Sequence, residues 1–314
     1  MTALPPAATR RGALALVLAL VAMGLAWGLS QPLSKILRSE GHAVLGIMAW
    51  QNLISAGLLW GICVLRGRMP RITRRRLWLW LFLSLSGSVL PNAASYVAVG
   101  HLPAGVVAIV IASVPLFALP MALALGNDRL SAARALGVLF GIGGVVLIAL
   151  PEAALPAGSE ALFIPLALLA PLLYAVEGNV IARWGMQGLD AVQALAGAST
   201  ISALITWPLA LGTGQGMSVA PPWDAGHVAL PILAVSSALI YAGYVWLVGR
   251  AGAVFAAQIS YFVTGGGVLW SMALLGERYS LWIWAALALM LSGVALVRPR
   301  EPEPDVRPSE GAIP

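Results

Sequence analysis

One carboxyl group in this sequence stands where a charge is costly. Glu177 lies inside a long apolar segment, roughly 9 Å along a helix from Arg183. A charge at the centre of a bilayer costs ~2.5 kcal/mol or more, so such a residue normally faces a cavity or a partner. Two interpretations stay open. Glu177 is either a functional group that anchors a ligand amine or responds to protons, or a structural carboxyl held by neighbouring Ser, Tyr or Asn side chains.

Aromatic and polar side chains at similar depth could complete a binding site around Glu177. A deep tyrosine needs a hydrogen-bond partner, so it prefers a protein interior or a wet cavity. Amide side chains in a membrane either line a polar path or join helices. We expect Trp27, Tyr96, Tyr174 and Tyr241 to approach one another around a central space. The full set of candidate substrate-binding residues is Trp27, Ser30, Gln31, Asn92, Tyr96, Tyr174, Glu177, Tyr241, Tyr244 and Tyr261.

Other chemistries have little support in the sequence. Cys63 is the single cysteine, which excludes an internal disulfide and a cysteine-based metal site. The histidines His42, His101 and His227 are too scattered along the chain to indicate a metal site. The H-E-x-x-H, G-x-S-x-G and Walker A motifs do not occur. We therefore predict no catalytic residues, no metal and no cofactor, and no transport driven by ATP bound to this chain.

Three further features have two interpretations each. Lys35, the only lysine, either snorkels to a membrane interface, which is the favoured interpretation, or recognises a carboxylate. Interior prolines and a triple glycine either interrupt helices at a site or allow close helix packing. These residues are Pro91, Pro115, Pro120, Pro171 and Gly265-Gly266-Gly267.

The elements that position these residues are membrane-spanning helices. Of the 314 residues, 60% are hydrophobic and 10% are charged, and the mean hydropathy is +0.90. An ordinary soluble domain has about 25% charged residues, so a soluble enzyme is excluded. Continuous apolar runs indicate helices rather than the alternating strands of a membrane barrel. Ten spans are predicted, at 13–36, 43–65, 77–99, 104–126, 132–150, 161–183, 191–213, 227–249, 253–275 and 281–297.

Basic residues predict the orientation of these spans. If the N-terminus is cytoplasmic, every Lys and Arg except Lys35, Arg38 and Arg278 falls on the inner side. This asymmetry is typical of multi-pass membrane proteins with both termini in the cytoplasm. It also explains the net charge of +6 without nucleic acid, because the basic residues border apolar spans. The arginine cluster at 66–76 is interpreted as a topology determinant.

An internal repeat relates the two halves of the chain. Shifted by 149 residues, LALGNDRLS at 123–131 aligns with MALLGERYS at 272–280, so that Arg129 matches Arg278. Each half holds five predicted helices. Because five is odd, the two halves must cross the membrane in opposite senses. This arrangement is typical of secondary transporters, whose substrates bind near the midplane between repeats.

The repeat marks resemble those of a known family. Trp27-Gly28-Leu29-Ser30, followed by Pro32 and Lys35, resembles the opening of the EamA family of drug/metabolite transporters. The run at 102–150 resembles the end of an EamA repeat, with a mid-helix Pro, an acid-Arg-x-Ser turn and a glycine-rich closing helix, and 275–297 repeats the pattern. The resemblance implies ten helices in two inverted five-helix repeats and secondary transport of small metabolites, commonly amino acid export. The sequence departs from the family at Gln51, at YFVTGGG (261–267) and at Glu177.

The combined prediction is an all-α integral membrane protein of the bacterial-type inner membrane. It comprises a cytoplasmic N-terminus at 1–12, a first repeat at 13–150, a second repeat at 151–297 and a disordered cytoplasmic tail at 298–314. We expect it to export small metabolites such as amino acids by alternating access, with a small-molecule substrate and the lipid bilayer as its partners. The alternatives are a transporter of nucleotide-sugars or lipid-linked metabolites, and an intramembrane scaffold. The oligomeric state is left open.

Overall fold

The computed structural model describes residues 7–125, 131–149, 155, 158–251 and 259–296. Over these ranges the chain is helical and forms no strand, as the apolar runs predict. The Asp128-Arg129 turn of the first repeat, Gln258 and the predicted tail lie outside the described residues. So does the side chain of Tyr261.

The described chain forms thirteen α-helices. They are α1 (Ala7–Gly28), α2 (Ser30–Ser39), α3 (Val44–Leu65), α4 (Arg74–Ser84), α5 (Leu90–His101), α6 (Ala104–Ile111), α7 (Val114–Ala124), α8 (Ala132–Ala149), α9 (Ile164–Trp184), α10 (Ala191–Gly212), α11 (Ala225–Ala251), α12 (Ile259–Leu275) and α13 (Leu281–Leu296). A π-helical turn, Leu85–Val89, joins α4 to α5, and a 3₁₀ turn, Ala161–Phe163, precedes α9.

Seven helical segments are long and apolar enough to cross a membrane. They are Leu14–Ser39, Val44–Leu65, Arg74–His101, Ala104–Ala124, Ala161–Ile181, Ala191–Gly212 and Ala225–Tyr244. Three shorter apolar helices, Ala135–Ile148, Phe262–Leu275 and Leu281–Gly293, occupy the positions of the fifth, ninth and tenth predicted spans. Each predicted run therefore has a helical counterpart, while the count of ten complete spans stays a prediction.

Three of the spans contain a break, and each break lies four residues before a proline. A proline has no N–H to donate to the carbonyl of the residue four positions earlier. Pro32 thus leaves Gly28, the last residue of α1, without that bond, and Pro115 does the same to Ile111, the last residue of α6. Pro91 does so to Gly87, and there the helix continues as a π turn in which the Leu90 N–H bonds to Leu85. Pro120 and Pro171 lie inside uninterrupted helices.

The helices pack in a reciprocal pattern between the two halves. The α1–α2 span contacts α11 and α12, whereas its counterpart in the second half, α9, contacts α5, α6 and α7. Two pairs of counterparts pack directly on each other, α3 with α10 and α8 with α13. This exchange of contacts is consistent with a chain built from two repeats. The centre of the molecule is therefore built from both halves.

The triple glycine of α12 serves close packing, since the helix runs through it without interruption. A β-carbon on Gly267 would lie 2.5 Å from the β-carbon of Ala108 in α6, and one on Gly266 would lie 3.1 Å from the α-carbon of Leu25 in α1. The Trp270 indole N–H also donates to the Leu25 carbonyl at 2.9 Å. Gly265, by contrast, has open space at its β-carbon position. Of the two interpretations, the structure favours packing for this segment.

Gly267→Ala is expected to lower the free energy of unfolding by about 1–3 kcal/mol, because the new methyl overpacks against Ala108. Gly265→Ala is the matched control. It adds a methyl to open space and is expected to be neutral or to stabilise the helix by up to ~1 kcal/mol. Thermal unfolding of both variants in the same detergent tests this, and equal transition temperatures would contradict it.

Candidate functional site

Glu177 lies at the contact between the two halves of the chain. It projects from α9 and is 8% exposed. The hydroxyl of Tyr241, on α11, is hydrogen-bonded to the Glu177 carboxyl group. Tyr174, one turn earlier on α9, interacts electrostatically with the same group. The costly carboxyl predicted from the sequence is therefore buried and bonded to a tyrosine from a neighbouring helix.

The π turn between α4 and α5 makes room for this carboxyl group. A β-carbon on Gly87 would lie 2.9 Å from Cδ of Glu177 and would overlap its Oε2. The absence of a side chain at Gly87 thus lets α4–α5 approach the carboxyl end of Glu177. π turns occur frequently at functional sites. Here the turn brings backbone of the first repeat against Glu177, the one buried acidic side chain among the described residues of the second repeat.

Aromatic rings form a wall beside Glu177. Trp27 of α1 makes edge contacts with Tyr241 and Tyr244 of α11, with ring centroids 5.9 and 6.0 Å apart. The two tyrosine rings lie 6.2 Å from each other. Aromatic rings in such tilted arrangements stabilise one another and present both apolar faces and polar ends. This aromatic wall connects α1, which ends at the break before Pro32, with α11, whose Tyr241 is bonded to Glu177.

Polar side chains from α3 and α5 extend the site on the other side. Tyr96 donates a hydrogen bond to the Gln51 side-chain carbonyl, and its helix, α5, packs against α9, which carries Tyr174. Ser88, next to Gly87, donates to Asn52 Oδ1 at 2.9 Å. A continuous set of polar groups therefore runs from α3 through the π turn to Glu177.

Several buried polar atoms in the described chain have no protein partner. Gln31 Oε1, Asn52 Nδ2 and Ser95 Oγ are among them. Buried polar atoms are nearly always satisfied by protein, water or a bound group. The three residues lie on α2, α3 and α5, and Asn52 also accepts a hydrogen bond from Ser88 of the π turn. These atoms are therefore available for hydrogen bonds with a polar ligand or with water.

The structure brings together six of the ten residues predicted to bind substrate. Glu177, Tyr174, Tyr241, Tyr244 and Trp27 form one set through the contacts above, and Tyr96 lies beside them on α5, which packs against α9. Gln31 is half-buried with a free side-chain oxygen. Ser30 and Asn92 are half-buried, and no hydrogen bond within the described ranges joins either to the set. The side chain of Tyr261 lies outside the described residues.

Lys35 has a role in the fold beyond its two predicted roles, which stay predictions. Its ammonium donates to the carbonyl oxygens of Leu102 at 3.0 Å and Gly100 at 3.5 Å, at the end of α5. The Glu277 carboxylate accepts from the backbone N–H groups of Ala104 and Gly105 at 2.8 and 3.2 Å, at the start of α6. A cation at a helix C-terminus and an anion at an N-terminus are both stabilising. The two side chains therefore hold the α5–α6 turn.

A half-open cavity of about 480 Å³ surrounds this turn. It lies at the predicted outer end of the bundle, and Lys35, Glu277 and Arg278 contribute to its lining. Tyr279, beside it, donates a hydrogen bond to Glu277. Burial, together with that bond, raises the pKa of the Tyr279 phenol above its ordinary value, so this donor stays protonated.

Sequence reasoning missed the part of the site contributed by Gly87 and Ser88. Amide side chains such as Gln51 and Asn52 could either line a polar path or join helices, and for any single amide the second interpretation is favoured by the sequence. A usable signal was present, because Gly87 stands four residues before Pro91 inside an apolar span. That spacing marks a carbonyl without its usual donor and hence a local change in helical winding.

These features define a multi-pass helical membrane protein with two repeats and a polar, aromatic site at their contact. The sequence model described as the EamA-like transporter family matches residues 14–150 and 161–298, one match in each half. The chain therefore belongs to the EamA-like transporter family and is a membrane transporter of small molecules.

Comparison with solved structures supports the fold. A crystal structure described only as that of a protein has a TM-score of 0.60 with this chain at 18% sequence identity. The similarity covers 88% of this chain and 95% of the other. No curated protein matches the sequence.

Proposed function

We propose that this protein is a secondary transporter that exports small metabolites carrying an amino group, with amino acids the first candidates. The observation that carries the proposal is the buried Glu177 carboxyl at the contact between the two repeats, beside the aromatic wall of Trp27, Tyr241 and Tyr244. A carboxylate pairs with an ammonium group, and aromatic faces attract cations within ~6 Å of the ring centroid. The same wall can contact the apolar part of an amphiphilic ligand.

Alternating access would use the proline-linked breaks as the places where the spans bend. The breaks at Gly28 and Gly87 both border the site, one next to Trp27 and the other against Glu177. Movement of one repeat against the other around such breaks is a general mode of secondary transport. In this proposal the two repeats have inverted topologies, and the site opens to one side of the membrane at a time.

Counterflow into liposomes tests the proposal directly. Purified protein is reconstituted, the vesicles are loaded with one unlabelled compound, and uptake of the labelled compound is measured over a panel of amino acids and other metabolites. Counterflow of amine-bearing compounds, and none in protein-free vesicles, is the expected result. Counterflow restricted to nucleotide-sugars or lipid-linked compounds would contradict the substrate class. No counterflow of any compound would favour a scaffold.

The proposed orientation places both termini in the cytoplasm of a bacterial-type cell. Cysteines at Ser159 and Ser218 are therefore expected to react with a membrane-impermeant thiol reagent in intact cells, whereas a cysteine at Thr73 is not. The native Cys63 is buried, so it contributes little background. Labelling at 73 in intact cells would overturn the orientation and the inverted repeat with it. Labelling of all three sites after lysis is the control for reactivity.

A further inference from the structure

Two histidines and an aspartate meet at the predicted outer end of the bundle, far from Glu177. His42 lies in the turn between α2 and α3, Asp224 immediately precedes α11, and His227 is in the first turn of α11. His42 Nε2 lies 3.0 Å from Asp224 Oδ2, and His227 Nδ1 lies 2.8 Å from Asp224 Oδ1. The prediction that the histidines are too scattered therefore applies to His101 but not to these two, which lie 185 positions apart in sequence.

Surrounding bonds orient the groups. The Nε2 of His227 contacts the Ser218 carbonyl oxygen at 2.9 Å and must carry a proton to donate to it. The lone pair of a neutral His227 ring is then on Nδ1, where the Asp224 backbone N–H approaches at 3.2 Å. Arg38 donates to the His42 carbonyl at 2.6 Å and holds the turn that carries His42. Donation from the distal ring nitrogen to a carbonyl is the usual way in which a metal-binding histidine is oriented.

We propose that His42, Asp224 and His227 form a binding site for a divalent transition-metal ion, with Zn²⁺ as its best fit. Two imidazole nitrogens and one carboxylate oxygen are a donor set that Zn²⁺ uses with a water or ligand as the fourth partner. Metal–ligand bonds near 2.0–2.1 Å place tetrahedral ligand atoms ~3.3 Å apart. One oxygen, Asp224 Oδ1, lies 3.1 Å from His42 Nε2 and 2.8 Å from His227 Nδ1, and the three donor atoms of the cluster lie within 4.8 Å of one another. These two distances need to open by only a few tenths of an ångström.

The environment is compatible with an ion that enters from water. The side chains of His42, Asp224 and His227 are 14%, 31% and 12% exposed, so the site is shielded but reachable.

Gly226 makes the geometry possible. A β-carbon at this position would lie 2.5 Å from Cδ2 of the His42 ring. The ring therefore occupies the space that a side chain would fill. Because His42 comes from the first repeat and Asp224 and His227 from the second, a bound ion would tie the two repeats together at one end of the bundle.

A Zn²⁺ titration of the purified full-length chain tests the site without any transport measurement. The protein carries an affinity tag that lacks histidine, and a chromophoric chelator competes for the ion at pH 7.5. The expected result is saturable binding of one ion per chain. Loss of a ligand in His42→Gln or His227→Gln is expected to weaken binding by about tenfold or more. Co²⁺ in place of Zn²⁺ is expected to give the intense visible absorption of a tetrahedral site, which the two variants lose.

His101→Gln is the matched control. His101 also lies at the predicted outer end, where it contacts Glu160 at 2.9 Å and stacks on Phe163, outside the cluster. The His101→Gln variant is expected to bind Zn²⁺ with the same affinity as the unaltered protein. Absence of stoichiometric binding, or equal affinity in His42→Gln, His227→Gln and His101→Gln, would overturn the proposal.

Thermal unfolding separates loss of binding from loss of folding. Zn²⁺ is expected to raise the transition temperature of the unaltered protein and of His101→Gln, because an ion bound only by the folded state stabilises it. Asp224→Asn, which keeps the shape of the side chain, is expected to unfold cooperatively without responding to Zn²⁺. An undiminished response in that variant would also overturn the site. A failure of transport in liposomes leaves these outcomes unaffected.

Discussion

Replacing Glu177 by Gln is expected to reduce transport of an amine-bearing substrate by about 10–150-fold. This range corresponds to the ~1.5–3 kcal/mol that a hydrogen bond to a charged group contributes. The amide keeps the shape of the side chain and can still accept a hydrogen bond from Tyr241, so insertion and folding are expected to be unchanged. Counterflow rates in liposomes across a pH series measure the effect. Any dependence of the rate on protonation of Glu177 is expected to disappear in the variant.

Glu160→Gln is a suitable control for the Glu177 variant. Glu160 is an exposed carboxyl group that contacts His101 at 2.9 Å and lies outside the central set. Its replacement is expected to leave counterflow near the original rate. If Glu177→Gln transports at the original rate with an unchanged pH profile, Glu177 is a structural residue and the amine-recognition proposal is wrong.

Adding one methyl group at Gly87 is expected to impair transport nearly as much as removing the charge of Glu177. The new β-carbon would overlap Glu177 Oε2. Because the Glu177 side chain is flexible, its carboxyl end is the group that moves. Gly87→Ala should therefore fold while displacing the carboxyl from Tyr241 and from the substrate. The expected loss is about tenfold or more, the equivalent of one charged hydrogen bond. Counterflow and thermal unfolding of the same preparation measure the two effects separately.

Gly178→Ala is the matched control for Gly87→Ala. Gly178 follows Glu177 on α9, and a β-carbon there meets nothing within 4 Å. Both variants replace a glycine in a helical segment next to the same carboxyl group. Only in Gly87→Ala does the new methyl group overlap the Glu177 carboxyl. Transport is expected to be retained in Gly178→Ala. Equal rates in the two alanine variants would show that the Gly87–Glu177 approach has no functional role.

Local properties of the sequence were sufficient to predict an all-helical membrane protein with two related halves. Hydropathy depends on which residues are neighbours in the chain, so a window of about 20 residues detects a segment that must bury its backbone bonds. The matched turns at 123–131 and 272–280 similarly indicated a repeat, and a family match in each half is consistent with it. Glu177 stood out for the same reason, because a carboxyl within an apolar segment is costly wherever the helix packs.

Tertiary structure decided the partners of these residues. Gly87 and Glu177 are 90 positions apart, and His42 and His227 are 185 apart, so no local pattern relates either pair. Lys35 bonds the carbonyls at the end of α5, because the fold brings that helix end within reach of its ammonium. Tertiary structure also distinguishes the three glycines at 265–267, which are equivalent in sequence. Gly266 packs against Leu25 and Gly267 against Ala108, whereas Gly265 has open space at its β-carbon position. Composition determines that a helix crosses the membrane, whereas the face it turns to each neighbour determines which side chains can do chemistry together.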